Sequence, residues 1–194
     1  MVDRWLVCDY GQVLSTAPPD TEWDALRRLA EGRTDDEFHQ LYWEHRPPYD
    51  RGDITAADFW ASVLPGGQPS PGQLAELVSV DCAMWLHPHR PSVVAATAAA
   101  DRGFRLALFS NAPREVGAAI DGLEWLGPFR PRFFSWKLRS VKPEATAYQA
   151  VLTSLGADPA DVVFVDDRPA NVEAARRVGI DGRLYEGPET FSDL

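Results

Sequence analysis

The sequence predicts an α/β protein: a parallel sheet core interrupted, after its first strand, by an inserted all-helical unit. Three observations point there. The apolar run Trp5-Leu6-Val7-Cys8 stops at Asp9 and breaks into Gly11. Residues 16–88 then carry only helical spacing. From Pro91 onward helical segments alternate with short apolar runs, the pattern of right-handed βαβ crossovers and of parallel sheets covered on both faces. The expected partition is a core of residues 1–15 and 89–194 and a helical insertion of residues 16–88.

The first strand is expected over residues 4–9. Within the insertion, residues 21–30, 34–44, 55–64 and 71–80 place apolar side chains at helical intervals, as in Phe59, Trp60, Val63 and Leu64. Pro18-Pro19, Pro47-Pro48 and Pro65-Gly66-Gly67 read as breakers between them. In the second part, helices are expected at 92–100, 113–120, 144–155 and 169–178, and strands at 104–109, 132–136, 162–165 and 182–185.

Composition excludes several classes. A chain of 194 residues, 45% hydrophobic and 25% charged, can bury a sizeable core. Net charge is −10 and the Lys and Arg residues are scattered, so no electrostatic footprint for nucleic acid exists. No apolar stretch approaches the length of a membrane span, and Asp3 and Arg4 precede the first apolar run without a signal-peptide core; a cytoplasmic protein is expected. Cys8 and Cys82 lie far apart without metal-ligand spacing.

In open α/β sheets ligands bind beyond the carboxyl ends of the strands. The residues at those ends are Asp9, Ser110-Asn111 and Asp166-Asp167, and a loop after the third strand holds Lys142 ahead of Pro143. Taken singly, the Asp pair and the Ser-Asn pair also suit helix caps, and the lysine a solvated helix entry. Together they place three carboxylates, a hydroxyl and an ammonium at one crevice. Crowded carboxylates repel, and a hard divalent cation with oxygen ligands, Mg2+ in the first place, relieves that repulsion. A carboxylate nucleophile that accepts a phosphoryl group, with Mg2+ and Lys offsetting the charge, is a phosphoryl-transfer set.

These residues resemble the haloacid dehalogenase superfamily of hydrolases, in particular its phosphatase branch with a Rossmann-like core and a helical cap after the first strand. VCDYGQVL is similar to the family's first motif, FSN to its second, SVKPEATAYQAVLTSLG to its third and VVFVDDRPANVEAARRVG to its fourth, while YDRGDITAADFW resembles a stretch of the cap. The resemblance implies Asp9 as nucleophile, Ser110 and Asn111 on phosphoryl oxygens, and Lys142 steadying nucleophile and phosphate. It further implies Mg2+ held by Asp9, Asp166, Asp167 and the main-chain carbonyl of Gly11, with a small phosphorylated metabolite, such as a sugar phosphate, as substrate.

One position departs from the pattern. Phosphatases of the family usually carry a second Asp two places after the nucleophile as general acid and base, and here that place is Gly11. Such an acid contributes ~10^2 to 10^4 in rate. A good leaving group, a water, or an acid from the cap could replace it; His39, Glu44, His45, Tyr49 and Asp50 are the cap candidates, and Arg46 and His45 the candidates for reading the substrate. Two other readings remain: a catalytically impaired binding or regulatory protein, and a 2-haloacid dehalogenase, which needs no metal and would leave the Asp166-Asp167 pair without a use.

Overall fold

The computed structural model describes residues 4–192 and 194; residues 1–3 and 193 of the expected core lie outside the described residues. β1 (Arg4–Cys8) is followed by the helices α1 (Asp20–Leu29), α2 (Asp35–Arg51), α3 (Ala56–Val63), α4 (Pro71–Ala83) and α5 (Arg90–Thr97). Then come β2 (Phe104–Ser110), α6 (Arg114–Asp121), β3 (Arg132–Phe134), α7 (Ser135–Leu138), α8 (Ala145–Leu155), β4 (Val162–Asp166), α9 (Pro169–Arg177) and β5 (Asp181–Leu184).

The five strands form one parallel sheet in the order β3-β2-β1-β4-β5. β1 is central, with Cys8 opposite Leu108 on β2 and Val165 on β4. Leu6 and Cys8 pack into one apolar core with Val116 and Ile120 of α6, whereas Trp5 and Val7 pack into the other with Tyr148 of α8 and Ala175 of α9. Both sheet faces are covered, which is why the strands read as unbroken apolar runs instead of alternating.

The helical block between β1 and β2 has a core of its own, built from Leu26, Phe38, Tyr42, Tyr49, Phe59, Trp60 and Leu77. Its starts are written in the sequence. Thr34 with Glu37 and Thr55 with Asp58 form capping boxes, and Ser70 caps α4 ahead of Pro71. No described helix is long and apolar enough to cross a membrane.

Two expectations fail locally. Pro47-Pro48 does not break the chain; α2 runs through both prolines to Arg51 and stops at Gly52, whose φ of 79° suits a left-handed cap. A proline inside a helix costs about 3 kcal/mol, and here the buried Tyr42, Arg46, Tyr49 and Asp50 hold the last two turns in place. Ser135 and Trp136, expected in a strand, open α7 instead. The Ser135 hydroxyl accepts from the Ala112 amide (2.9 Å) and donates to the Asp50 carbonyl (2.6 Å), fastening the helical block to the sheet end.

Candidate active site

Because β2 and β4 flank β1, their last residues meet. Asp9 follows β1 directly, its amide donating to Val165 O (2.8 Å), while Ser110 ends β2 and Asp166 ends β4. Lys142 reaches into this row from the loop before α8. Its Nζ lies 2.6 Å from Asp9 Oδ1 and 2.7 Å from Asp166 Oδ2, and donates to Phe109 O at 3.0 Å. An ammonium has three N–H donors, and each has an acceptor, so the charge stays satisfied although the side chain is 1% exposed. Asp166 also accepts from the Arg168 amide (2.9 Å) and from Asn171 Nδ2 (2.9 Å).

The electrostatics are dominated by burial. Burial pushes the Asp9 carboxyl up to about 7; Lys142 pulls it down, and Asp166 and Asp167 add to the rise. The Asp167 carboxyl is raised by burial and by Asp166. Burial opposes the charge on Lys142, but Asp166 and Asp9 outweigh it and hold its pKa above the usual value. Oxygens of Asp9, Asp166 and Asp167 lie within 4.8 Å of one another. One ammonium cannot offset three carboxylates at that spacing, and an all-oxygen donor set suits a hard divalent cation. Asp166 is the most heavily engaged of the three, so Asp9 and Asp167 keep more capacity for the ion.

These groups open into a cavity of about 760 Å³ whose other wall belongs to the helical block, through Trp43, Pro47 and Asp50. Ser110 lines it, and among the described residues its Oγ makes only a long contact (3.5 Å), to the Asn111 carbonyl, which leaves it available to a ligand. Asn111 lines it too, but its carboxamide is engaged elsewhere. Its Nδ2 donates to the Lys142 carbonyl and its Oδ1 accepts from the Lys142 amide, both at 2.9 Å. The side chain expected on phosphoryl oxygens therefore fixes the lysine loop.

Arg46, expected to read an anionic substrate group, does line the cavity, but it is paired with Asp50 (2.8 Å) and Asp81 (3.0 Å) and donates to the Tyr42 hydroxyl, so two carboxylates already answer its charge. His45 is half-buried and does not line the cavity. The reason is the unbroken α2: Arg46 and Asp50, one turn apart, share a face that lines the cavity, and His45, about 100° round the helix from Arg46, does not. Of the five cap candidates for the missing acid, Asp50 alone lines the cavity, with burial raising its carboxyl to about 6 against the pull of Arg46. Tyr49 donates to Glu115 (2.9 Å), His39 accepts from Trp43 Nε1 (3.0 Å), and Glu44 is exposed. Gly11 borders the cavity, and a Cβ there would meet Trp85 Cζ3 at 3.5 Å, an ordinary contact.

Sequence reasoning missed Asn171, Ser135, Trp43 and Trp85. Asn171 had a signal, since it sits five residues after Asp166 in the first turn of the helix that follows. The other three depend on how the block docks and had none.

The strand order, with acids and a buried lysine at the carboxyl edge, defines a Rossmann-like α/β fold carrying a helical insertion. A model of the haloacid dehalogenase-like hydrolases matches residues 19–179, and the chain belongs to that family. It is 32% identical over 96 residues to flavin mononucleotide hydrolase 1 of Arabidopsis thaliana, a match covering 50% of this chain and 39% of that protein. A second match, 33% over 88 residues, is to enolase-phosphatase E1 of Synechococcus elongatus and covers 44% of this chain and 37% of that one. Each match thus spans less than half the length of the curated relative. Among solved structures, an HAD family enzyme of Bacteroides thetaiotaomicron superposes with a TM-score of 0.76 at 17% identity over 95% of this chain and 94% of that one. The same enzyme in complex with magnesium and inorganic phosphate gives a TM-score of 0.73 at 18% identity, over 94% and 93%.

Proposed function

We propose that the protein is a Mg2+-dependent phosphatase that hydrolyses a small phosphorylated metabolite through an aspartyl-phosphate on Asp9, with the helical block acting as a cap over the site. The observation that carries this reading is the position of Lys142 Nζ, bonded to both Asp9 and Asp166 beside a cluster of three acids. In it, Asp9 attacks phosphorus, Ser110 donates to a phosphoryl oxygen, and Lys142 favours the ionised form of Asp9 against its burial and aims it. Asn111 and Asn171 act as positioning residues for Lys142 and Asp166. Asp9, Asp166 and Asp167, with the Gly11 carbonyl, would hold Mg2+, whose charge would offset that of the phosphoryl oxygens. The named activities of the flavin mononucleotide hydrolase and enolase-phosphatase relatives, and the magnesium and phosphate bound by the Bacteroides enzyme, support the same reading.

Gly11 favours a second reading, a binding or regulatory protein with an impaired centre. A haloacid dehalogenase is disfavoured because its metal-free chemistry would leave Asp167 without a role. Phosphate release from acetyl phosphate and an activated aryl phosphate separates these. The expected outcome is turnover that needs Mg2+, stops in chelator and is abolished by Asp9→Asn. Halide release from a haloacid would support the dehalogenase, and silence on a broad ester panel the binding protein.

A further inference from the structure

The cavity that Asp9 lines has two tryptophans in its wall, Trp43 and Trp85, and the first is held exposed. Trp43 is 40% exposed, one of only three large hydrophobic side chains that exposed among the described residues, and it lines the cavity. It is not loose. Tyr42 meets it edge-on at 5.1 Å between centroids and Trp85 at 6.3 Å, Trp23 packs at 6.2 Å, and its Nε1 donates to His39. Four neighbours fix the indole while part of it stays exposed, and the exposed Pro47 adds apolar surface to the same cavity. An exposed aromatic surface this well supported, inside a concave site, marks a place for a ligand's apolar part.

The second observation is chemical. Where the resembling phosphatases usually carry a general acid, this chain has Gly11, with the Trp85 ring 3.5 Å from the point a Cβ would take. Position 11 therefore offers a departing oxygen no acid, and an indole lies beside it. A phenolic oxygen, with a pKa near the 10 of tyrosine, leaves as an anion far more readily than an aliphatic alcohol.

Resting on the phosphatase reading above, we propose that the substrate is a phosphate monoester of a phenol, its ring packed against Trp43 and Trp85. The Asp9 Oδ–P bond forms as the P–O(aryl) bond breaks, and the phenolate leaves with the electron pair and takes its proton from water. A water then bonds to phosphorus, the bond from phosphorus to Asp9 breaks, and inorganic phosphate departs with Asp9 restored. The faces of the two indoles would give a sugar phosphate's hydroxyls no hydrogen-bond partner.

The test compares 1-naphthyl phosphate, acetyl phosphate and glucose 1-phosphate with Mg2+ present, alongside calorimetric binding of 1-naphthylphosphonate and methylphosphonate. Trp43→Ala is expected to lower the naphthyl-to-acetyl ratio of kcat/KM, and the naphthyl-to-methyl ratio of phosphonate affinity, by about tenfold; Trp43→Phe restores most of both. Equal losses on both substrates, or wild-type preference for glucose 1-phosphate, would overturn the proposal. If no ester is turned over but the Trp43-dependent phosphonate preference persists, the phosphatase reading falls and the ring subsite stands.

Discussion

At the residue scale the site turns on two positions two apart. Asp9 is a buried acid whose burial has a compensating partner, the Lys142 ammonium, and the position two after it, which in the resembling phosphatases usually carries an acid, is Gly11. Gly11 is not required by the backbone, since it has no left-handed φ and its Cβ position meets nothing closer than 3.5 Å. Gly11→Asp should therefore fold and supply the acid. Its expected effect is an increase of at least about tenfold in kcat on alkyl phosphates, within the range for a positioned acid, with little change on p-nitrophenyl phosphate. A uniform change across leaving groups in a Brønsted series would refute the assignment of the vacant acid to position 11.

At the element scale, α2 is the piece that sequence signals described least well. Its start is a capping box, and its passage through Pro47-Pro48 depends on buried side chains that only the assembled block supplies. Arg46 is central to that assembly, bonded to Asp50, Asp81 and Tyr42 at 4% exposure. Removing the cation leaves Asp81 and Asp50 buried without it. Arg46→Met should cost about 3 to 5 kcal/mol in a urea unfolding experiment, and a loss below about 1 kcal/mol would mean that the network is not needed to hold the helix. The same helix bears Trp43 and Asp50, so its path decides what faces the cavity.

At the scale of the whole molecule, the acid cluster exists because β2 and β4 close on β1 and the third-strand loop folds back between them. The folded, metal-free site raises Asp9 to about 7, above the usual carboxylate value near 3.9. Between those two values the folded state binds more protons than the unfolded state, so the contribution of Asp9 to stability falls as pH rises through 7 and then levels off. A cation must displace that proton, which makes its apparent affinity weaker by about tenfold per unit below 7. Mg2+ should therefore raise the melting temperature more at pH 8 than at pH 6, and a thermal-shift titration with chelator as the reference checks it. An equal or larger shift at pH 6 would mean that Asp9 is not a ligand.

The sequence by itself determined the alternation of strands and helices, the acids and hydroxyl at the strand ends, and the absence of an acid at position 11. Each of these depends on residue type and near neighbours: an apolar run stops where a polar residue must reach the sheet edge, and caps are written within four residues. Only the tertiary structure decided that β1 is central, that Lys142 finds three acceptors at once, and that Asn111 holds the lysine loop. It likewise decided that Arg46 is neutralised inside the block and that Trp43 and Asp9 line one open cavity. Those facts join residues tens of positions apart, and what fixes them is mutual burial and charge satisfaction, which no local pattern records.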